Sequence, residues 1–217
     1  MDRVIQDLYN GRGKYNACIP SALRGYSLEQ DELKQLYPYD PEKARALLAD
    51  AGFGPGDFKF ELMTFTGYSQ DNQDIAVMRQ ADLQAVGFDV TINPVPVGEG
   101  RATVIEGNFD TVQQPHSTGV EPDEMLGGYV PGGPRNFMRV NDPKVTAWMK
   151  EQEVEFDRAK RGAILQEFSR YCADQALGII PNPSRVVQQL VQSWVKNAAI
   201  ADVASDEPDE KYIWFDK

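Results

Sequence analysis

Between Asp40 and Val112 the apolar period switches repeatedly between that of a helix and that of a strand, and this alternation limits the possible folds more than any other feature. Asp40 stands as an N-cap before Pro41 at the first helical position, with Glu42 in the first turn. Ala44, Leu47, Leu48 and Ala51 then share one face, and Gly52 ends the helix. Phe58, Phe60 and Leu62 alternate with Lys59, Glu61 and Met63, the period-two pattern of a strand, and Thr64–Gln70 follows as a polar loop. From about Asp71 a helix carries Ile75, Met78, Ala85 and Val86 in one arc and closes at Gly87. Phe88, Val90 and Ile92 read as a strand ended by Pro94 and Pro96, and a short helix near Arg101–Glu106 leads to a third strand, Phe109–Val112. Strands separated by helical crossovers imply an α/β (α+β) fold, a mixed sheet flanked by helices.

The rest of the chain is less regular. Val4, Ile5, Leu8 and Tyr9 form an opening helical pattern, and the stretch through Pro20 and Gly25 to Pro38 reads as a connector rather than a core element. Gln113–Arg139 is rich in glycine, proline and polar residues, the composition of a functional or disordered loop. Two helices follow, with Val145, Trp148 and Met149 on the first and Ile164, Leu165, Phe168 and Cys172 on the second, for which Asp157 is the expected cap. Ile179-Ile180-Pro181 reads as a short buried strand, and the acidic tail from Ala199 as a solvated extension.

Hydrophobic residues make up 41 % of the 217-residue chain and charged ones 25 %, so a real core is expected without staples. The net charge of −11 repels phosphate backbones and anionic lipid, which argues against nucleic acid and membrane surfaces as partners. No apolar run approaches the ~20 residues of a membrane helix, and the opening lacks the pattern of a signal peptide. The expectation is a cytoplasmic protein or one whose true beginning is missing. Cys18 and Cys172 lie far apart without CxxC spacing, and two buried, unpaired thiols are expected in preference to a disulfide.

Several segments, in order, resemble the C-terminal part of family 5 extracytoplasmic solute-binding proteins, the dipeptide, oligopeptide and nickel binders of ABC importers. The resemblance rests on Tyr37-Pro38-Tyr39-Asp40-Pro41-Glu42-Lys43-Ala44 through Leu47-Leu48-Ala49-Asp50-Ala51-Gly52, and on Gln80-Ala81-Asp82-Leu83 with Val86-Gly87-Phe88-Asp89-Val90. Asn108-Phe109-Asp110, Asn141-Asp142-Pro143-Lys144-Val145 and the opening Tyr9-Asn10-Gly11-Arg12-Gly13 continue it. It implies the second lobe of a two-lobed, type II periplasmic-binding-protein architecture. Residues 1–36 would then be a connector from a missing first lobe, 37–185 the C-terminal ligand-binding lobe, and 186–217 a tail returning towards the first lobe. The implied partners are a small-molecule solute, the permease subunits of an ABC transporter and the missing N-terminal lobe. The implied location of the full-length protein is periplasmic or at the cell surface.

Polar loops at one rim of such a lobe would meet the ligand, and Thr64–Tyr68, Gln113–Asp123 and Gly133–Arg139 are the rim candidates. The resembled family places a tryptophan and an aspartate after the Phe-Asp strand. Here Pro115 and Thr118 stand there, which favours ligands with hydroxyl, amide or anionic groups over a peptide ammonium. The candidate ligand-binding residues are Tyr68, His116, Ser117, Thr118, Arg135 and Asn136. Arg135, on a stiff Pro-Gly loop, suits a carboxylate clamp, while Tyr68 and Tyr129 offer rings and hydroxyls. His116 is the only histidine and has no companion ligands, so no metal is expected. Glu121, Asp123 and Glu124 do not match a calcium loop and read as a solvated turn.

Enzyme chemistry finds no motif: there is no GxSxG, HExxH or Walker loop, and Gly52-Phe53-Gly54-Pro55-Gly56 follows a helix instead of opening one. No catalytic residue and no cofactor is expected. The reading is a binding component of an ABC importer for a small polar solute such as a peptide, opine or sugar. The alternative is a stand-alone cytoplasmic enzyme with Gln113–Arg139 as an active-site lid.

Overall fold

The computed structural model describes residues 1–114, 121–186, 190–197 and 213–216. They fall into two units, Met1–Val4 with Pro38–His116 and Ile5–Tyr37 with Ser117–Lys217. In chain order the elements of the first half are α1 (Asp2–Asp7), β1 (Gly13–Lys14), α2 (Gln30–Leu36), α3 (Pro41–Asp50), β2 (Lys59–Thr66), α4 (Gln70–Ala85), β3 (Asp89–Pro96), α5 (Val97–Glu106) and β4 (Thr111–Gln113). The second half contributes α6 (Asp123–Leu126), α7 (Pro143–Val154), α8 (Arg158–Asp174), β5 (Ser184–Arg185), β6 (Val195–Lys196) and β7 (Trp214–Phe215). The expected α/β class holds, with sheets flanked by helices.

The first unit is built on a three-stranded sheet of order β3-β2-β4, parallel throughout. Leu62, Ala76 and Val90 form its core, joined by Phe60, Leu83, Phe88 and Ile92. Burying each large aliphatic side chain there contributes about 1.5–3 kcal/mol. Local chemistry starts the helices as the sequence implies: Asp40 accepts the Lys43 amide at 2.9 Å before Pro41, and Ser69 accepts the Asn72 amide at 3.3 Å. Leu47 on α3, however, is 58 % exposed, so that apolar face stays largely in solvent. β3 runs through Pro94 and Pro96 rather than stopping at them. It is an edge strand, where a residue without an N–H costs no ladder bond on the open side.

α4 and α5 cover opposite faces of this sheet. Phe60, Leu62 and Thr64 point to α4, whose Ala76 and Asn72 meet them, while Phe65, of opposite parity, lies against Gly100 of α5. A Cβ on Gly100 would come within 2.7 Å of Phe65 Cδ1 and 2.8 Å of Val95 Cγ2, so glycine sets how closely α5 lies on the strands.

The second unit packs α7 and α8 around Val145, Met149, Leu165 and Phe168, with the Tyr129 ring edge-on to Phe168 at 5.1 Å. Asp142 and Asp157 cap the two helices, each accepting two backbone amides. Three sequence expectations are corrected here. The stretch read as a connector carries core positions: Cys18, Ile19, Leu23 and Tyr26 belong to this cluster, and Ile19 is fully buried. Its apolar residues lack a period because tight turns place them, with Leu23 and Tyr26 amides bonded to Pro20 and Leu23 carbonyls and Asn16 Oδ1 accepting the Ser21 amide. α2 within it contributes the fully buried Leu33.

The second correction concerns the cysteines, which are not free thiols. Cys18 and Cys172 form a disulfide across 154 residues, with their Cα atoms 6.5 Å apart. Distance along the chain does not bound distance in space, and the buried face of α8 carries Cys172 to Cys18. Ile179–Pro181 is not a strand, and Ile180 is 74 % exposed. Among the described residues the antiparallel pairs are two short ribbons, β1 with β5 and β6 with β7.

Candidate functional site

β2 connects through α4 to β3 on one side, and β3 connects through α5 to β4 on the other side of β2. The crossover helices α4 and α5 therefore start from the C-terminal ends of β2 and β3, and the ends of β2 and β4 lie side by side. Open parallel sheets bind ligands in a crevice outside the carboxyl ends of their strands. Its described wall consists of Thr64 and Thr66 ending β2, the turn Gly67–Ser69, the first turn of α4, and Gln113 ending β4.

A buried polar network lies under this edge. Asn72 Nδ2 donates to Thr64 Oγ1 at 3.0 Å and to the Gln113 carbonyl at 3.2 Å, and Gln113 Nε2 donates to Asn72 Oδ1 at 3.3 Å. All three side chains are at least 96 % buried. Gln113 Oε1 has no hydrogen-bond partner among the described residues, which leaves one buried acceptor at the strand end. Buried polar groups are costly unless paired, and a hydrophobic strand end would be the cheaper solution for folding alone. Tyr68 lies on the β2–α4 turn and is 50 % exposed.

Arg135 and Asn136 belong to the second unit. Arg135 is exposed, and its Nη1 reaches the Glu124 carbonyl at 3.5 Å. The Asn136 amide braces its own loop: Nδ2 donates to the carbonyls of Val130 and Val140, and Oδ1 accepts the Val140 amide, all within 2.9 Å. His116, Ser117 and Thr118, with Pro115, lie outside the described residues. Thr64 and Gln113 begin two of the expected rim segments but are not among the candidate ligand-binding residues, and Asn72 lies outside both sets, although two polar side chains at inward strand positions were a signal for the network.

The described part of Gln113–Arg139 is not a lid. Pro122, Met125, Leu126 and Tyr129 are buried, and Tyr129, weighed as a stacking residue, is a core side chain. Burial pushes its phenol well above the ordinary range, and that of Tyr37 up to about 12. Glu121 and Asp123 are not simply solvated: they bind Arg161 at 2.9 and 3.3 Å, and Gln152 holds both Asp123 and Arg161. Among the described residues no group of His, Cys, Asp and Glu is arranged to hold a metal ion.

Residues 1–137 match the model of the bacterial extracellular solute-binding proteins, family 5. The chain belongs to this family. As a family 5 chain it is 34 % identical over 115 residues to the dipeptide-binding protein of Escherichia coli, which covers 51 % of this chain and 21 % of that protein. It is 28 % identical over 177 residues to an ABC transporter peptide-binding protein of Brucella ovis, covering 76 % of this chain and 33 % of the relative. The chain thus spans about a fifth to a third of the length of these relatives. Among solved structures, OppA of Burkholderia pseudomallei superimposes with a TM-score of 0.74 at 17 % identity, over 95 % of this chain and 41 % of that one, which establishes the shared fold. Family 5 members are transport binding proteins rather than enzymes. No described helix is long and apolar enough to cross a membrane.

Proposed function

We propose that this chain is one lobe of an extracytoplasmic solute-binding protein that captures a short peptide and delivers it to the permease of an ABC importer. The observation that carries this reading is the polar C-terminal edge of the β2–β4 pair in a chain of this family. A dipeptide-binding relative and a peptide-binding one support peptides over sugars or opines. Tyr68 would stack on or bond the ligand, and His116, Ser117, Thr118, Arg135 and Asn136 are the further ligand-binding residues proposed from the sequence, Arg135 for its guanidinium. The missing N-terminal lobe would supply the facing wall, and closure about a hinge would trap the solute by contacts available only in the closed state. A periplasmic or cell-surface location is supported by the Cys18–Cys172 disulfide, since such bonds persist in oxidising compartments.

Native mass spectrometry tests this with di- and tripeptides, free amino acids and sugars offered to this chain and to a form extended to the relatives' length. A peptide retained by the extended form, and weakened by Tyr68→Ala without loss of folding, is the expected result. Retention of sugars in place of peptides by the extended form would overturn the ligand class. Turnover of any compound by this chain would overturn the transport reading.

A further inference from the structure

β3 is an outer strand of the parallel sheet, and among the described residues no strand lies beyond it. Such an edge presents unpaired N–H and C=O groups and is a template on which another extended chain can pair. In a parallel ladder a residue directs both of its backbone groups to one side, and the next residue directs both to the other. The Asp89 amide donates to the Phe58 carbonyl at 2.9 Å, so Asp89, Thr91, Asn93 and Val95 face β2. Val90, Ile92, Pro94 and Pro96 therefore turn their backbone groups to the open edge.

Two kinds of side chain close that edge. At one end Pro94 and Pro96, both exposed, have no N–H, and their rings stand where a neighbouring strand would bond. At the other end the Val90 carbonyl accepts Gln80 Nε2 at 2.9 Å and Gln84 Nε2 at 3.1 Å. These glutamines lie one turn apart on α4, whose Ala76 clusters with Leu62 and Val90, so the helix that covers the sheet also reaches round to the strand's outer carbonyl. A carbonyl holding two donors has both lone pairs engaged. A strand added here would find the outward N–H missing at two positions and the outward C=O engaged at a third. Folding alone does not ask for this, because an edge carbonyl can bond to water.

We propose that Gln80, Gln84, Pro94 and Pro96 together close the β3 edge against strand addition by a second copy of this chain. Two unguarded edges of this kind, brought together about a twofold axis, would join two sheets into one continuous sheet. The guarded edge lies along β3 and not at the polar ends of β2 and β4, so the proposal stands whatever the solute is.

Sedimentation velocity over a range of concentrations tests this on the chain with Gln80→Ala and Gln84→Ala, with Pro94→Val and Pro96→Thr, and with all four changes. Either pair should move self-association to lower concentration. The four together should reach half-association at a concentration about tenfold below that of the parent, because each restored backbone bond contributes. Hydrogen exchange across Asp89–Pro96 should slow in step with association. The two prolines are exposed, so their pair decides the question even if loss of the glutamines unfolds the chain. A four-residue variant that keeps the parent's circular dichroism and sediments as the parent does at every concentration overturns the proposal. Association that leaves exchange across Asp89–Pro96 unchanged also overturns it, since the contact then lies elsewhere.

Discussion

Asn72 illustrates how one side chain at the first turn of a helix ties three elements together. It joins Thr64 of the central strand, the Gln113 carbonyl of its neighbour and the Gln113 amide in a site that water does not reach. Asn72→Ala leaves Thr64 Oγ1 and Gln113 Nε2 buried without their partner, and unmade buried hydrogen bonds cost about 1–3 kcal/mol. Urea unfolding should show a loss of that size. The double variant Asn72→Leu with Gln113→Leu should be less destabilised than the two single changes added together, because the amide pair is removed as a unit. Position 72 is visible in the sequence only as a helix residue, since nothing local says that its amide meets a strand 41 residues on.

The elements hold their places by contacts whose strength depends on shape and on pH. Gly100→Ala raises the helix propensity of α5 by about 1 kcal/mol, yet the added methyl meets Phe65 and Val95, and Phe65 is 2 % exposed. Overpacking prevails here, and the thermal midpoint should fall rather than rise. Between α2 and α8, Glu32 binds the Arg170 guanidinium at 2.5 and 3.2 Å, which holds its carboxyl below the ordinary value of 4.5 against the opposing effect of burial. A depressed acid stabilises the fold fully above its unfolded pKa, and the contribution is lost as pH falls through the lower, folded value. Thermal midpoints measured from pH 6 to pH 3 should therefore fall below about pH 4.5, and less steeply in Glu32→Gln. The boundaries of α3, α7 and α8 follow from their aspartate caps, but α2 escaped the sequence reading because its seven residues lie in a stretch of turns.

At the scale of the molecule, the Cys18–Cys172 bond closes a loop across a sequence separation of 154 in a chain of 217 residues. Chain-entropy arguments put the effect of such a long closure at about 4–5 kcal/mol, with native-state effects modifying it. Reduction under native conditions, or a Cys18→Ser and Cys172→Ser pair, should lower the unfolding midpoint of the second unit by several degrees. An unchanged midpoint would mean that the buried cluster around Ile19, Leu165 and Phe168 holds the two segments without it. Within this unit the Leu126–Tyr129 segment serves packing, with Leu126 and Tyr129 in the same buried cluster as Cys18 and Cys172.

The sequence by itself determined the helix starts at Asp40 and Asp157, the strand alternation from Phe58 to Ile92 and, through short motifs in order, the family. These are properties of neighbouring residues, where a cap, a proline or a period acts within one or two turns. Only the tertiary structure decided that Ile19 and Leu23 are core, that the two cysteines are joined, and that Thr64, Asn72 and Gln113 share one buried network. Each of these depends on a close approach between segments distant in the chain, and local periodicity carries no information about which segments will meet.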